Sequence, residues 1–260
     1  MGHIRLGTLP RSKEWRQVVA LLRVGADVEA IAAAAAVAAE RDLNRAINDP
    51  AFVQTLWLLT QLPLAARGPA FAADLQALGL SVADRPGLME VVAAFTDAVD
   101  RHGRGQEGRT DLGEMAQMAA VESIVALVGR SLPSLFSPTP EEVQREIGRY
   151  ASGERFSLLA REFFARLTQR RLDYYLSREL ANHIGPGARF GDDAERSEFD
   201  AALNWHCREA SRIVEAYAGG WYGKHVYQQD GLQRSDIPDF AEYALKKMGD
   251  ELRKRRDAGA

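Results

Sequence analysis

Apolar residues in this chain recur every three to four positions, and past residue 9 they never alternate with polar ones over a strand's length. That single pattern constrains the fold more than anything else, because a 3.6-residue period cannot line one face of a strand. The one alternating run, His3 to Leu9, ends in Gly-Thr-Leu-Pro and reads as an extended arm. The expectation is an all-α protein of eight to ten helices, in two packed halves and without a significant β-sheet.

The helix starts are written in capping residues. Asp27 precedes the Ala-rich run to about Ile47, and Asp49-Pro50 places a cap before a proline suited to the first turn. Asp84-Arg-Pro-Gly opens a helix with Leu88, Val92, Phe95 and Val99 at helical spacing. Asp111 and Glu114 have the spacing of a capping box, and Thr139-Pro140-Glu141-Glu142 is a fuller one. A long segment from Glu154 to about His183 carries six arginines, and another helix runs from Asp193 to Tyr217, where Gly219-Gly220 are read as its stop. Asp236 to Asp239 starts the last helix, with Phe240, Ala244, Met248 and Leu252 as its stripe.

Two stretches read as connectors. One is the glycine-rich Arg101 to Arg109; the other is Ser131 to Pro140, with three prolines. The second divides the chain into an N-terminal half, 1–132, and a C-terminal half, 138–260. The helix from Asp111 to about Arg130 is apolar nearly all round, so it is expected at the centre of the core.

Composition removes several classes. A net charge of −3 gives no general attraction to nucleic acid or to an anionic membrane. The apolar runs Ala30–Ala39 and Met115–Val128 are shorter than the ~20 residues of a span, and Met1 to Pro10 lacks a signal peptide's apolar centre. The single cysteine, Cys207, allows no internal disulfide. Together these point to a cytoplasmic protein with no membrane contact. Arginine far outnumbers lysine and alanine is abundant, the composition of a GC-rich bacterial genome.

No catalytic, metal or cofactor motif emerges. Glu179 and His183 are four apart, a spacing commoner for a hydrogen bond than for a metal pair, so no metal and no cofactor are expected. The loop from Gly103 into the next helix offers Arg104 and Arg109 as anion-binding candidates, without the Gly-Lys-Ser/Thr of a nucleotide loop. On the 193–217 helix the wheel places His206 inside and Trp205 outside, among charges. Trp205, Trp221, Tyr222 and Tyr227 are the candidates for contact with a partner, and Trp57 is a further aromatic that a monomer need not bury. Arg171 and Arg178 fall on the aromatic face of the Arg-rich helix, while Arg155, Arg166 and Arg170 fall on its solvated face. Glu122, the lone charge in the middle of an apolar helix, should therefore meet Arg171 or Arg178 near His206, a buried polar cluster joining the halves.

The leading expectation is a non-enzymatic helical adaptor or structural subunit of a bacterial multi-protein system, with a protein partner and self-association left open. The alternative is a regulator that binds nucleic acid or a nucleotide through the 101–111 loop, Arg171, Arg178 and the aromatics at 221–227. A third reading is an enzyme with a pocket around Glu122 and His206.

Overall fold

A computed structural model describes residues 12–46, 48–105, 110–133, 137–227 and 231–259. Among these the fold is all-α. It comprises α1 (Lys13–Arg23), α2 (Val28–Ala46), α3 (Pro50–Ala65), α4 (Phe71–Ala77), α5 (Leu88–Gly105), α6 (Asp111–Ser131), α7 (Pro140–Gly148), α8 (Gly153–Leu180), α9 (Asp193–Ala210), α10 (Arg212–Tyr227) and α11 (Asp236–Gly259). Only Ser211 separates α9 from α10, where the sequence reading has a single helix from Asp193 to Tyr217. No strand occurs among the described residues; a lone bridge joins Ile184 to Phe190. The expected extended arm at His3–Leu9 lies outside the described residues.

The caps work as their chemistry requires. Asp27 accepts from the Ala30 N–H at 2.7 Å and Asp49 from that of Phe52 at 2.9 Å. Thr139 and Glu142 close a reciprocal capping box. At α6 the cap falls one residue earlier than the spacing suggested. Thr110, not Asp111, accepts from the Gly113 N–H at 3.0 Å, because its β-region backbone turns the hydroxyl back over the first turn.

Two elements differ from the sequence reading. Gly219-Gly220 do not stop a helix; α10 continues through them to Tyr227. A Cβ on Gly219 would stand 2.7 Å from the Gly153 carbonyl oxygen, and one on Gly153 would stand 2.6 Å from that of Gly219. The pair lets the backbones of α8 and α10 touch, which only glycine permits. The second difference is α6. It packs on α3, α5 and α8, but buries only one side: Gly113, Ala116, Ala119, Ala120, Ser123, Ile124 and Val128. Gly113, the three alanines and Ser123 among them let neighbouring helices approach closely, while Gln117, Ile124 and Val128 fill the remaining space. Met118 and Val125 face out, 49% and 38% exposed. At 21 residues α6 is the one helix among those described that is long and apolar enough to cross a membrane, and 44% of its most apolar stretch is buried.

Helices from either side of the 133–137 connector interleave. α2 lies along α11, α6 along α8, and α8 also packs on α9 and α10. The buried side chains form one continuous cluster, with Phe52, Phe95, Phe156, Phe163 and Phe164 at its centre.

Candidate functional site

The arginine-rich face of α8 meets α6 and α9 in a ladder of charges. Glu122 of α6 receives Arg170 in a short contact and Arg166 at 3.5 Å. Arg166 also binds Glu162 at 2.6 Å, and Glu162 takes Arg208 of α9 at 3.3 Å. Glu122 thus finds arginines on α8, as expected, but not Arg171 or Arg178. Its side chain is 43% exposed, so it is no buried carboxylate. The reason is the rotation of α8: Arg166 and Arg170 form one row on its surface, and each residue step turns the row by about 100°. The face read as solvated is therefore the one that pairs across helices.

The other members of the expected polar cluster sit apart. Arg171 is buried between α2, α8 and α11, beside a cavity of about 30 Å³ lined by Ala36, Thr168 and Met248. That is room for a single water. Arg178 lies over the Tyr174 ring, 4.5 Å from its centre, in a cation–π contact. His206 is 5% exposed, and its Nε2 stands 2.9 Å from the Glu29 carboxylate, tying α9 to α2. Its Nδ1 has no hydrogen-bond partner among the described residues. The four residues do not form one cluster.

Between α8 and α9 lies a group that the sequence reading passed over. Burial first, and the neighbouring Asp200 carboxylate second, push the Asp173 carboxyl up to about 6. Burial raises Asp200 as well, against the pull of Arg196. The buried Cys207 thiol is raised by the same loss of water, with Asp173 adding to it, so it is protonated and unreactive at neutral pH. No periodicity rule flags such a pair, because its members come from different helices.

Residues 106–109 of the expected anion loop, Arg109 among them, lie outside the described residues. Arg104 is exposed and folds back on its own helix, Nε to the Asp100 carbonyl at 3.3 Å. At the start of α6 the Thr110 hydroxyl donates to the Asp49 carboxylate, which a Cβ on Gly113 would meet at 3.3 Å. A carboxylate of the chain already stands where an external anion would bind. Glu179 and His183 form a hydrogen-bonded pair at 3.3 Å, and no group of three potential metal ligands occurs among the described residues.

Of the partner-contact candidates, most are used internally. Tyr222 is buried, stacks on Phe156 with centroids 3.9 Å apart, and donates to the Thr60 carbonyl at 3.0 Å. Trp221 is half-buried and stacks on Phe240 at 4.0 Å. Trp57 is half-buried against the core. The ring of Tyr227 is exposed, but its hydroxyl donates to the Ala151 carbonyl and accepts from Arg67. Trp205 is 54% exposed. The Arg255 guanidinium lies over its ring at 5.7 Å, and the His206 ring meets it edge-on, centroids 4.7 Å apart. Glu209 holds Arg255 and also Arg212, and Glu162 holds Arg208.

A concavity of about 250 Å³ lies elsewhere, between the start of α4 and α7, with the Arg85–Glu141 pair at its rim. Neither Glu122 nor His206 lines it. No protein-family model, curated protein or solved structure matches this chain.

Proposed function

We propose that the protein is a helical adaptor or structural subunit that binds a protein partner through the Trp205 face of α9. The observation that carries this reading is the exposure of Trp205 within a set of arginines that carboxylates hold in place. Leaving an indole in water forgoes about 1.5–3 kcal/mol of apolar burial, and the other tryptophans, Trp15, Trp57 and Trp221, are buried or half-buried. Tryptophan and arginine are also the residues that most often dominate binding energy at interfaces. Arg208, Arg212 and Arg255 are ordered before any partner arrives, so little side-chain entropy is lost on docking. The partner this face suits offers an apolar pocket rimmed by carboxylates.

The nucleic-acid reading has less support, because Trp221 and Tyr222 stack inside the protein and do not present their faces to bases. The enzyme reading needs Glu122 and His206 in one pocket, and they pair with different helices.

The test is affinity capture from the native host with the wild-type chain and Trp205→Ala side by side. The expected result is a protein retained by the wild type and reduced at least about tenfold by the variant, as for a central hot-spot residue. Thermal stability of the variant should stay within about 0.5 kcal/mol, the usual range for a surface change. Capture that ignores Trp205, or of nucleic acid alone, would overturn the reading.

A further inference from the structure

Two segments far apart in the sequence are joined through a histidine that has to be neutral. His102, in the last turn of α5, receives a 3.0 Å hydrogen bond at Nε2 from the Arg234 guanidinium, in the segment that leads into α11. A guanidinium only donates, so Nε2 is the accepting nitrogen and the ring is uncharged. A proton on Nε2 removes the acceptor and sets two cations against each other. Both residues are half-buried, where a second charge is poorly hydrated. Arg234 belongs to a short turn. The Asp236 N–H donates to the Gln233 carbonyl at 3.1 Å, the Ile237 N–H to the Arg234 carbonyl at 3.3 Å, and the Gln233 N–H to the Asp236 carboxylate at 2.8 Å.

The charges around the ring leave Arg234 in control. α3, which packs on both α5 and α11, carries no charged residue. On α6, Glu114 is exposed, Asp111 accepts from Tyr174, Glu122 is paired with Arg166 and Arg170, and Arg130 stands at the far end. On α5 itself Asp97 is exposed, Asp100 accepts from Gln117, and Arg101 and Arg104 bind the carbonyls of Gly79 and Asp100. Among the described residues Arg234 is the one whose charge bears on His102. Burial first, and Arg234 second, hold the imidazole below its ordinary 6.5.

We propose that the His102–Arg234 contact is a pH-operated latch that ties the 233–237 turn, and with it the start of α11, to the end of α5 while the ring is neutral, and releases the turn when the ring is protonated. The folded state takes up this proton at lower pH than the unfolded chain does. The stability the latch contributes is therefore complete above about pH 6.5, and is lost as pH falls from there through the folded value. Leu232 and Ile237, buried on either side of Arg234, keep α11 on the core, so release is confined to the turn.

The test is amide hydrogen exchange of residues 233–237 in the full chain at about pH 7.5 and pH 5.5, corrected for intrinsic rates, with His102 followed by NMR titration. In the wild type, protection should fall on acidification by about three- to tenfold, the scale of one part-exposed hydrogen bond. His102→Gln keeps an accepting oxygen at every pH and should hold protection level. His102→Lys carries a permanent charge and should show the low value at both pH values. Arg234→Met removes the donor; it should also be low at both, and the His102 titration should rise part of the way to 6.5, since burial remains. It stands in should His102→Lys fail to fold by circular dichroism. His225 of α10, beside the Trp221 ring that stacks on Phe240 of α11, is present in all these chains, so comparison with His102→Gln cancels its effect. Wild-type protection that is equal at the two pH values overturns the proposal. So does an acid loss that survives in His102→Gln, or a His102 titration that Arg234→Met leaves unmoved.

Discussion

At the residue scale, the carboxyl of Asp173 is the group whose chemistry the fold alters most usefully for measurement. Unfolded, it titrates at the ordinary 3.8; folded, burial and Asp200 move it to about 6. Below about pH 4 both states hold the proton. Between about 4 and 6 only the folded state does, so stability falls as pH rises through that window and is level above it. The full loss is about 3 kcal/mol by the linkage relation, a net figure in which the favourable contacts of Gln169, Arg170 and Arg196 with the ionised form are already counted. Asp173→Asn keeps the shape and removes the charge. It should therefore be more stable than the wild type at pH 7.5 by on the order of 1–2 kcal/mol, and about equal at pH 4.5. Urea unfolding at the two pH values measures this, and an Asn variant less stable at pH 7.5 would mean that the carboxylate is well solvated. The same scale shows what a sequence can reveal. His206 inside and Trp205 outside follow from helix phase, a local property. That Glu122 pairs with Arg166 and Arg170, and not with Arg171 or Arg178, depends on how α8 is rotated against α6, and nothing local encodes that rotation.

At the element scale, the starts of α2, α3 and α7 were legible because capping side chains act on backbone groups two or three residues away. Glycine misleads for the opposite reason: it is permissive, and the neighbours decide what the permission is for. Gly219 and Gly220 look alike in sequence. In the fold a Cβ on Gly219 meets Gly153 backbone at 2.7 Å, whereas a Cβ on Gly220 meets nothing within 4 Å. Gly219→Ala should push α10 off α8 and cost about 1–3 kcal/mol, as overpacking does. Gly220→Ala should instead stabilise by roughly 0.5–1 kcal/mol through helix propensity alone. Opposite signs at adjacent positions, read by chemical denaturation, are the signature of backbone contact between the helices; two equal shifts would refute it. The misreading of α6 has a related origin. A helix apolar on all sides gives no phase signal, so the sequence could not say which side the core would take. The buried side turns out to hold Gly113 and three alanines, with Ile124 and Val128, where α3, α5 and α8 pack.

At the scale of the whole molecule, the proline-rich connector suggested two halves, and the packing shows how tightly they are combined. α2 of the first half rests on α11 of the second, α6 rests on α8, and one cluster of buried residues includes Trp15, Phe52 and Phe95 together with Phe156, Phe163 and Leu252. Either half alone would expose the apolar sides of these helices, and no second core exists to retain its structure. The ion-pair ladder from Glu122 through Arg166 and Glu162 to Arg208 fixes the relative position of α6, α8 and α9, but its members are part-exposed and contribute modestly. Burial of apolar surface is therefore what joins the halves, and it is lost all at once. The chain should unfold in one cooperative step, with tryptophan fluorescence and far-ultraviolet circular dichroism giving coincident urea transitions. Trp15 and Trp57 report on the first half, and Trp205 and Trp221 on the second. Replacing Trp205 and Trp221 by phenylalanine isolates the first pair, and its midpoint should match that of the helical signal. Val143→Ala in α7, buried after the connector, should lower the midpoint of both signals equally by a cavity cost of about 1–3 kcal/mol. Two separated midpoints, or a shift confined to one signal, would establish instead that the halves fold as independent units.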